Sequence, residues 1–170
     1  VLADDIYEHI VYDDFKFVTP AQVEPKLYER TLTLNGVSKA YSMTGWRIGF
    51  AGGPQVLIDG IVKILSQTSG NPSSISQMAA IAALDGPQDY VAARAAEFKE
   101  RRDYFLARMS QMRGLTCHAP EGAFYLYPNC EKLIGLSSPK GFKIENSGDL
   151  ARYFLQEYNI AVVPGAAFDF

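Results

Sequence analysis

One lysine and one arginine stand close together in a stretch of sequence that could carry chemistry. Lys39 lies in a loop of small residues after a strand-like segment at 30–35, and Arg47 opens the next apolar segment eight positions later. A lysine between two strand ends lies at a sheet edge, which is where α/β proteins bind ligands. Its neutral amine can condense with an aldehyde, and the planar donors of arginine suit a phosphate. The pair therefore fits the two ends of pyridoxal phosphate.

A carboxylate and a phenol follow the first predicted strand, near the start of the sequence. Asp4 and Tyr7 are three positions apart, and Asp5 is an alternative to Asp4. A carboxylate opposite the pyridine nitrogen of pyridoxal phosphate keeps that nitrogen protonated, so the ring can absorb electrons from the substrate. A tyrosine hydroxyl near the phenolic oxygen of the ring can tune the Schiff base. Taken alone, such a cluster is more typical of a solvated acidic turn.

Together these motifs resemble the signature of the class I and II aminotransferases of pyridoxal-phosphate fold type I. The run at 35–49 contains Ser38-Lys39 and a Gly-x-Arg-x-Gly motif, and it is very similar to bacterial aspartate aminotransferases of the aspartate/prephenate branch. The resemblance extends over nearly the whole chain. Residues 120–125 are similar to the family's small-domain strand that lines the substrate entrance, and residues 162–165 are similar to the segment before the substrate-carboxylate arginine.

The resemblance implies a role for each candidate residue. Lys39 is then the lysine that forms the Schiff base and shuttles the substrate proton. Asp4 pairs with the pyridine nitrogen, and Tyr7 hydrogen-bonds the phenolic oxygen of the cofactor. Arg47 binds the phosphate. No metal ligand is implied, and the two histidines have no partner at metal-binding spacing.

The sequence departs from the family pattern at one position. Many relatives carry a phosphate-binding serine three residues before the lysine, and here that position is Gly36. Ser38 is adjacent to the lysine and would point in a different direction. It is therefore a weaker candidate for the cofactor site.

The implied reaction moves an amino group between an amino acid and a 2-oxo acid, with aspartate and 2-oxoglutarate as the first expectation. A lyase or decarboxylase on the same scaffold would use the same lysine, aspartate and arginine, so the local motif does not separate these activities. A transcription regulator that senses pyridoxal phosphate is a further alternative, and it would need an upstream DNA-binding domain. Fold type I enzymes generally act as dimers, so the resemblance implies a homodimer.

The elements around these residues predict an α/β fold. The first 87 residues mix strands and helices, as a sheet covered by helices does. By resemblance, they form the C-terminal part of a large cofactor-binding domain with a mixed, mostly parallel sheet. Strands are predicted at 1–4, 30–35 and 46–51, and helices at 56–67 and 72–84, the latter closed by Gly86.

A long helix and a smaller α+β unit complete the predicted organisation. The helix at 88–113 bridges the large domain and a small C-terminal domain at 114–170. Within the small domain, short strands are predicted at 115–118, 123–127 and 160–163. Ser147 is the predicted N-cap of a helix that ends near residue 158.

The amino-acid composition and net charge limit the kinds of molecule that the chain is expected to bind. The chain of 170 residues is 48% hydrophobic, so it is too apolar for disorder, and its net charge of −3 offers no basic field for nucleic acid or an anionic membrane. Small-molecule substrates are the expected partners. Cys117 and Cys130 are predicted to be free thiols in a reducing, cytoplasmic setting, although a disulfide between them stays open.

Both ends of the sequence look cut, which predicts a fragment of a longer protein. The chain starts at Val1 without an initiator methionine, and it ends just after a predicted strand. By resemblance, the glycine-rich phosphate loop, the ring-stacking aromatic residue and the ring-contacting asparagine lie upstream. The substrate-carboxylate arginine lies just beyond Phe170. We therefore expect the chain alone not to catalyse transamination efficiently.

Overall fold

The computed structural model of the chain describes residues 1–168. Asp169 and Phe170, the last two positions of the predicted small domain, lie outside the described residues. Three strands and six α-helices are described: β1 Leu2–Asp4, α1 Pro20–Val23, α2 Pro25–Tyr28, β2 Leu32–Gly36, β3 Gly49–Gly52, α3 Gln55–Gln67, α4 Ser74–Asp85, α5 Asp89–Met109 and α6 Ser147–Tyr158. Short 3-10 turns occur at Thr44–Trp46, Glu131–Leu133 and Gly165–Phe168.

The chain forms two compact units. Of the described residues, the first unit contains 1–101 and 120–124, and the second contains 102–119 and 125–168. Helix α5 contributes residues to both units. The three-part organisation with boundaries at 87 and 113 stays a prediction.

The strands form one mixed sheet in the order β1-β2-β3. β1 and β2 are parallel with Asp4 opposite Leu34, whereas β2 and β3 are antiparallel with Gly36 opposite Gly49. The α/β class is therefore confirmed. The third strand is shorter than predicted, because Trp46 belongs to a 3-10 turn and pairing begins only at Gly49.

The helices of the first unit follow the apolar pattern of the sequence. The predicted helices at 56–67, 72–84 and 88–113 are confirmed as α3, α4 and α5, with ends shifted by at most four residues. Gly86 follows α4 in an extended conformation, and its N–H donates to the Ala82 carbonyl at 3.1 Å. A Cβ at this position would lie 2.5 Å from that carbonyl oxygen, so the close approach requires glycine.

The core of the first unit lies behind the loop that carries Lys39. Its buried members come from that loop and from α4 and α5: Val37, Ala40, Tyr41, Ala80 and Val91. Met43, Ile48 and Ala83 pack against them. The loop after β2 is thus held by apolar contacts with two helices, while Lys39 itself is only half-buried.

The predicted strands of the second half of the chain are wrong. In the described structure, Thr116 makes a single bridge with Asn129. Residues 123–127 belong to no strand or bridge, and only the preceding Gly122 bridges to Val11. Residues 160–163 belong to none of the described strands. These segments have strand-like composition, but strand formation depends on a neighbour that continues the ladder.

The start of α6 differs by one residue from the prediction. Asn146 is the N-cap, and its side chain accepts a hydrogen bond from the Asp149 N–H at 3.0 Å. Ser147 is instead the first helical residue. Both residue types are good N-caps, so the choice depends on backbone conformation. The helix ends at Tyr158, and the C-cap Asn159 has a left-handed φ of 57° that terminates the helical backbone.

Three further features of the described part bear on its chemistry. The two cysteines are free thiols, as predicted. Within residues 1–168, no helix combines the length and apolar character needed to cross a bilayer. The same residues contain no group of three or more His, Cys, Asp or Glu side chains placed to hold a metal ion.

Candidate functional site

Sheet topology brings three of the predicted site residues to one edge. Asp4 ends β1, Lys39 follows the C-terminal end of β2, and Arg47 precedes β3. Because β1 is parallel to β2, their carboxyl ends share an edge. Because β3 is antiparallel to β2, its first residue lies at that same edge. This is the edge at which open α/β sheets bind ligands.

A cavity of about 390 Å³ opens at this edge. All five residues predicted for the cofactor site are on its wall, together with four residues that the sequence argument left out. The lining consists of Asp4, Ile6, Tyr7, Leu34, Asn35, Ser38, Lys39, Thr44 and Arg47. The volume falls within the range of small-molecule sites. Two cationic side chains against one carboxylate favour a ligand with an anionic end.

The structure places Asp4, and not Asp5, on the cavity wall. The Asp4 carboxylate accepts a hydrogen bond from the Ile6 N–H at 3.3 Å and is exposed. Asp5 is buried, and its own N–H donates to the Leu34 carbonyl at 2.9 Å. Successive side chains of a strand point to opposite faces, which separates the two carboxylates.

The Lys39 amine lies close to two aromatic rings. Its Nζ is 5.9 Å from the centroid of the Tyr7 ring and 5.6 Å from that of Phe124. The two rings meet edge to face at 5.3 Å, and Phe98 of α5 stacks on Phe124 at 5.1 Å. Cation–π attraction at such distances stabilises the position of the ammonium group. The lysine head is therefore held at an aromatic corner of the cavity.

Phe124 reaches this corner through a backbone connection that the sequence argument missed. The Ala123 N–H donates to the Ile10 carbonyl at 2.8 Å, and the Tyr12 N–H donates to the Glu121 carbonyl at 2.9 Å. The Tyr12 hydroxyl also donates to the Ala123 carbonyl. Phe124 is 85 positions from Lys39, so no local pattern could place it there. The one available signal was the resemblance of 120–125 to the family's substrate-entrance strand.

Arg47 is held in a strained backbone conformation. Its φ of 52° and ψ of 51° are left-handed, which is unfavourable for a residue with a side chain. Ser42, in the same loop, also has a positive φ of 54°. One guanidinium N–H donates to the Thr44 carbonyl at 2.9 Å, which fixes the head group beside the cavity. Such strain concentrates at ligand-binding sites, where the surrounding structure maintains it.

Gly36, three residues before Lys39, lies in a tightly packed position. A Cβ at Gly36 would lie 3.0 Å from the Ile48 carbonyl oxygen, 3.1 Å from the Gly49 Cα and 3.2 Å from the Ile6 side chain. Backbone atoms of β3 thus leave little room for a larger residue. Ser38, by contrast, lies on the cavity wall.

Asn35 is a polar wall residue that the sequence argument did not single out. Its Nδ2 donates to the Glu8 carboxylate at 2.6 Å, and its Oδ1 accepts from the Gly36 N–H at 2.7 Å. The same Glu8 oxygen lies 3.3 Å from the His9 Nε2. The amide plane is therefore fixed from both ends. Its place at the carboxyl end of a strand was the signal that could have identified it.

Comparison with known proteins gives a consistent result. The sequence profile of the family described as aminotransferase class I and II matches residues 1–170. An aspartate aminotransferase of Rhizobium meliloti strain 1021 is 53% identical over 168 residues, which are 99% of this chain and 41% of that protein. An aspartate/prephenate aminotransferase of Cereibacter sphaeroides is 52% identical over 168 residues, 99% of this chain and 42% of that protein.

Solved structures agree with the sequence relatives. The crystal structure of the aspartate aminotransferase from Rhizobium meliloti superposes with a TM-score of 0.93 at 52% identity, covering 99% of this chain and 42% of that one. The aromatic aminotransferase from Pyrococcus horikoshii OT3 gives a TM-score of 0.84 at 34% identity, covering 99% and 43%. The chain thus spans about two-fifths of the length of these relatives. With its profile matched from end to end, the chain belongs to the aminotransferase class I and II family.

Proposed function

We propose that the complete protein carrying this sequence is a pyridoxal-phosphate-dependent aminotransferase. One observation carries the proposal: Lys39, Arg47, Asp4, Tyr7 and Ser38 line a single cavity at the carboxyl edge of the sheet. An amine, a guanidinium and a carboxylate in one small-molecule cavity match the aldehyde, phosphate and ring nitrogen of this cofactor. Family membership points to the same chemistry.

Each of the predicted residues on the cavity wall would contact a different part of the cofactor. Arg47 would bind the phosphate, with the Ser38 hydroxyl as a further donor. Asp4 would accept a hydrogen bond from the protonated ring nitrogen, and the hydrogen bond that it accepts from the Ile6 N–H orients the carboxylate. Tyr7 would donate to the phenolic oxygen. Lys39 would present its amine to the aldehyde from the aromatic corner that Phe124 completes.

Each residue then has a defined part in the reaction. When bound, pyridoxal phosphate supplies an aldehyde that condenses with amines and a ring that absorbs electrons. Lys39 would supply the amine that condenses with that aldehyde, and its free amine would be the base that takes the proton from the substrate α-carbon and later gives it up. Asp4 would hold the ring nitrogen protonated.

Aspartate and 2-oxoglutarate are the proposed substrates. The support comes from relatives more than 50% identical that are named aspartate or aspartate/prephenate aminotransferases. In the forward half-reaction, aspartate leaves as oxaloacetate and its amino group stays on the enzyme. In the second half-reaction, 2-oxoglutarate takes up that group as glutamate. The pathway role proposed with these substrates is amino acid biosynthesis in the cytoplasm.

A homodimer is the proposed assembly. Helices α3 and α4 expose apolar side chains that a larger assembly would cover: Val56, Leu57, Val62, Ile64, Leu65, Ile75, Met78, Ile81 and Leu84. Many exposed apolar side chains on two helices are typical of a contact with further protein. Sedimentation of the complete protein would measure the assembly directly, and a monomer at all concentrations would contradict the proposal.

The test of the proposed function follows the amino nitrogen. The complete protein would be incubated with pyridoxal phosphate, 2-oxoglutarate and aspartate labelled isotopically at nitrogen. The proposal predicts labelled glutamate and oxaloacetate in equal amounts, with Lys39→Ala inactive. Free ammonia or carbon dioxide as the main product would instead indicate a lyase or a decarboxylase and would refute the transferase assignment.

A further inference from the structure

Gln88 connects the end of α4 with the loop that carries the proposed catalytic lysine. Its Nε2 lies 3.0 Å from the Ala83 carbonyl oxygen, 3.3 Å from that of Leu84 and 2.7 Å from that of Gly86. On the other side, its Oε1 accepts a hydrogen bond from the Tyr41 hydroxyl at 3.0 Å. Since the nitrogen faces only carbonyl oxygens, one amide orientation directs its two N–H groups at those carbonyls and its oxygen at the Tyr41 hydroxyl.

Tyr41 is suited to act as a permanent donor. Its side chain is 9% exposed and belongs to the core cluster behind the loop. Burial raises the pKa of the Tyr41 phenol, and the nearby Tyr90 and Glu8 raise it further. His9 also meets the ring, with the two centroids 6.3 Å apart. The hydroxyl therefore keeps its proton at neutral pH and can donate to Gln88.

Two backbone hydrogen bonds form the turn that contains both Lys39 and Tyr41. The Ser42 N–H donates to the Lys39 carbonyl at 3.1 Å, and the Met43 N–H donates to the Val37 carbonyl at 3.3 Å. Ser42 has the positive φ of 54°, so the turn includes a conformation that costs free energy. A strained turn persists only when its surroundings hold it in place. Three side chains of this loop are buried in the core cluster, those of Val37, Ala40 and Tyr41, and of these the Tyr41 side chain carries a hydrogen-bonding group.

We propose that the Tyr41–Gln88 hydrogen bond positions Lys39 by tying its turn to the junction of α4 and α5. The two are positioning residues, because neither lines the cavity described above. The consequence for catalysis rests on the proposed function of Lys39, whereas the ordering of the turn does not. Without the bond, the turn opens more often and the amine spends less time at the aromatic corner.

Tyr41→Phe in the complete protein is the direct test, because it removes the hydroxyl and keeps the ring in the core. The readout is hydrogen exchange of the Ser42 and Met43 amides, resolved by fragment mass spectrometry over 37–43. One neutral hydrogen bond corresponds to a change of roughly fivefold in opening. We expect exchange over 37–43 to rise by about that factor, with the α6 amides unchanged.

Tyr90→Phe is the matched control. It makes the same chemical change in the ring next to Tyr41, whose centroid is 6.0 Å away, on a side chain that is 43% exposed. The proposal predicts no acceleration over 37–43 in this variant. Equal acceleration in both variants, or none in Tyr41→Phe, would overturn it.

A double-mutant cycle with Gln88→Met separates the bond from general packing. If the bond positions the turn, adding Tyr41→Phe to Gln88→Met accelerates exchange over 37–43 no further. Additive effects would contradict the proposal. The dissociation constant of pyridoxal phosphate, measured for the same variants, should rise with Tyr41→Phe and not with Tyr90→Phe. If the unaltered protein binds no cofactor, the proposed function fails, and the exchange data alone still decide whether the bond orders the turn.

Discussion

Arg47 is positioned by contacts within its own loop, whereas Lys39 is positioned by contacts with distant parts of the chain. Arg47 reaches the cavity through a left-handed backbone and a bond to the Thr44 carbonyl, both within the local loop. Lys39 reaches it from a turn packed against α4 and α5, and its amine meets the Phe124 ring from a distant segment. Local spacing could therefore predict that the two share a site, and it could not predict the aromatic corner.

Arg47→Lys should weaken cofactor binding even though the charge is retained. A lysine offers a point charge in place of the planar fork, and it leaves the strained backbone unchanged. We expect the dissociation constant of pyridoxal phosphate to rise roughly ten- to hundredfold, the worth of one charge-assisted hydrogen bond. Arg30→Lys, at an exposed position away from the cavity, is the control. An unchanged constant in Arg47→Lys would exclude this residue as the phosphate ligand.

Tyr41 should make the stability of the protein sensitive to alkaline pH. Because burial raises the pKa of its phenol, the folded state keeps a proton that the unfolded state loses above about pH 10. The stabilisation is complete below the unfolded pKa and falls as pH rises through the folded one. Urea unfolding between about pH 8 and pH 11 should show a smaller loss in Tyr41→Phe than in Tyr90→Phe. Identical pH profiles would argue against a buried, protonated phenol.

β2 and β3 form the part of the fold on which the site depends most. Gly36 and Gly49 are paired where the strands leave the sheet, and the residues after β2 and before β3 diverge from that point into the cavity wall. The close approach leaves contacts of 3.0 to 3.2 Å for any Cβ at Gly36. The glycine is thus required by strand packing and not by a positive φ.

Gly36→Ala should destabilise the protein by about 1–3 kcal/mol, because the added methyl group presses on backbone atoms of β3 that cannot rotate away. Gly60→Ala, within α3, has open space around its Cβ and should stabilise the helix by up to about 1 kcal/mol. Urea unfolding of both variants measures the difference. An unchanged free energy of unfolding in Gly36→Ala would show that β3 can move away from the added methyl group at no cost.

Helices and strands of this chain differed in how far the sequence predicted them. α3, α4 and α5 were recognisable because their apolar spacing is local. The strands predicted at 115–118 and 160–163 failed because their composition suits a sheet while the ladder partner is set by tertiary structure. The same limit hid the bond between Tyr41 and Gln88, which are 47 positions apart.

The solvent-accessible area of the chain is larger than that expected of a folded monomer of the same mass. Its accessible area is 12309 Å², whereas a folded monomer of 18.8 kDa exposes roughly 8,300 Å². Part of the excess is the apolar surface of α3 and α4. A surface of this size suits a chain that makes further contacts with protein, in line with its spanning about two-fifths of its relatives.

We expect the 170-residue chain by itself not to catalyse transamination. The chain spans about two-fifths of the length of its relatives, and we predict that residues outside this sequence complete the binding of cofactor and substrate. A coupled assay with aspartate and 2-oxoglutarate should show turnover for the complete protein and none for the chain. Sustained turnover by the chain would mean that residues 1–170 contain all the machinery needed.

The central claim is that one amine, that of Lys39, condenses with the cofactor. Absorbance on addition of pyridoxal phosphate to the complete protein measures this most directly, with Lys63→Ala on the exposed helix α3 as the control. We expect a visible band in the unaltered protein and in Lys63→Ala, and no band in Lys39→Ala. A band that persists unchanged in Lys39→Ala would show that another amine condenses with the cofactor.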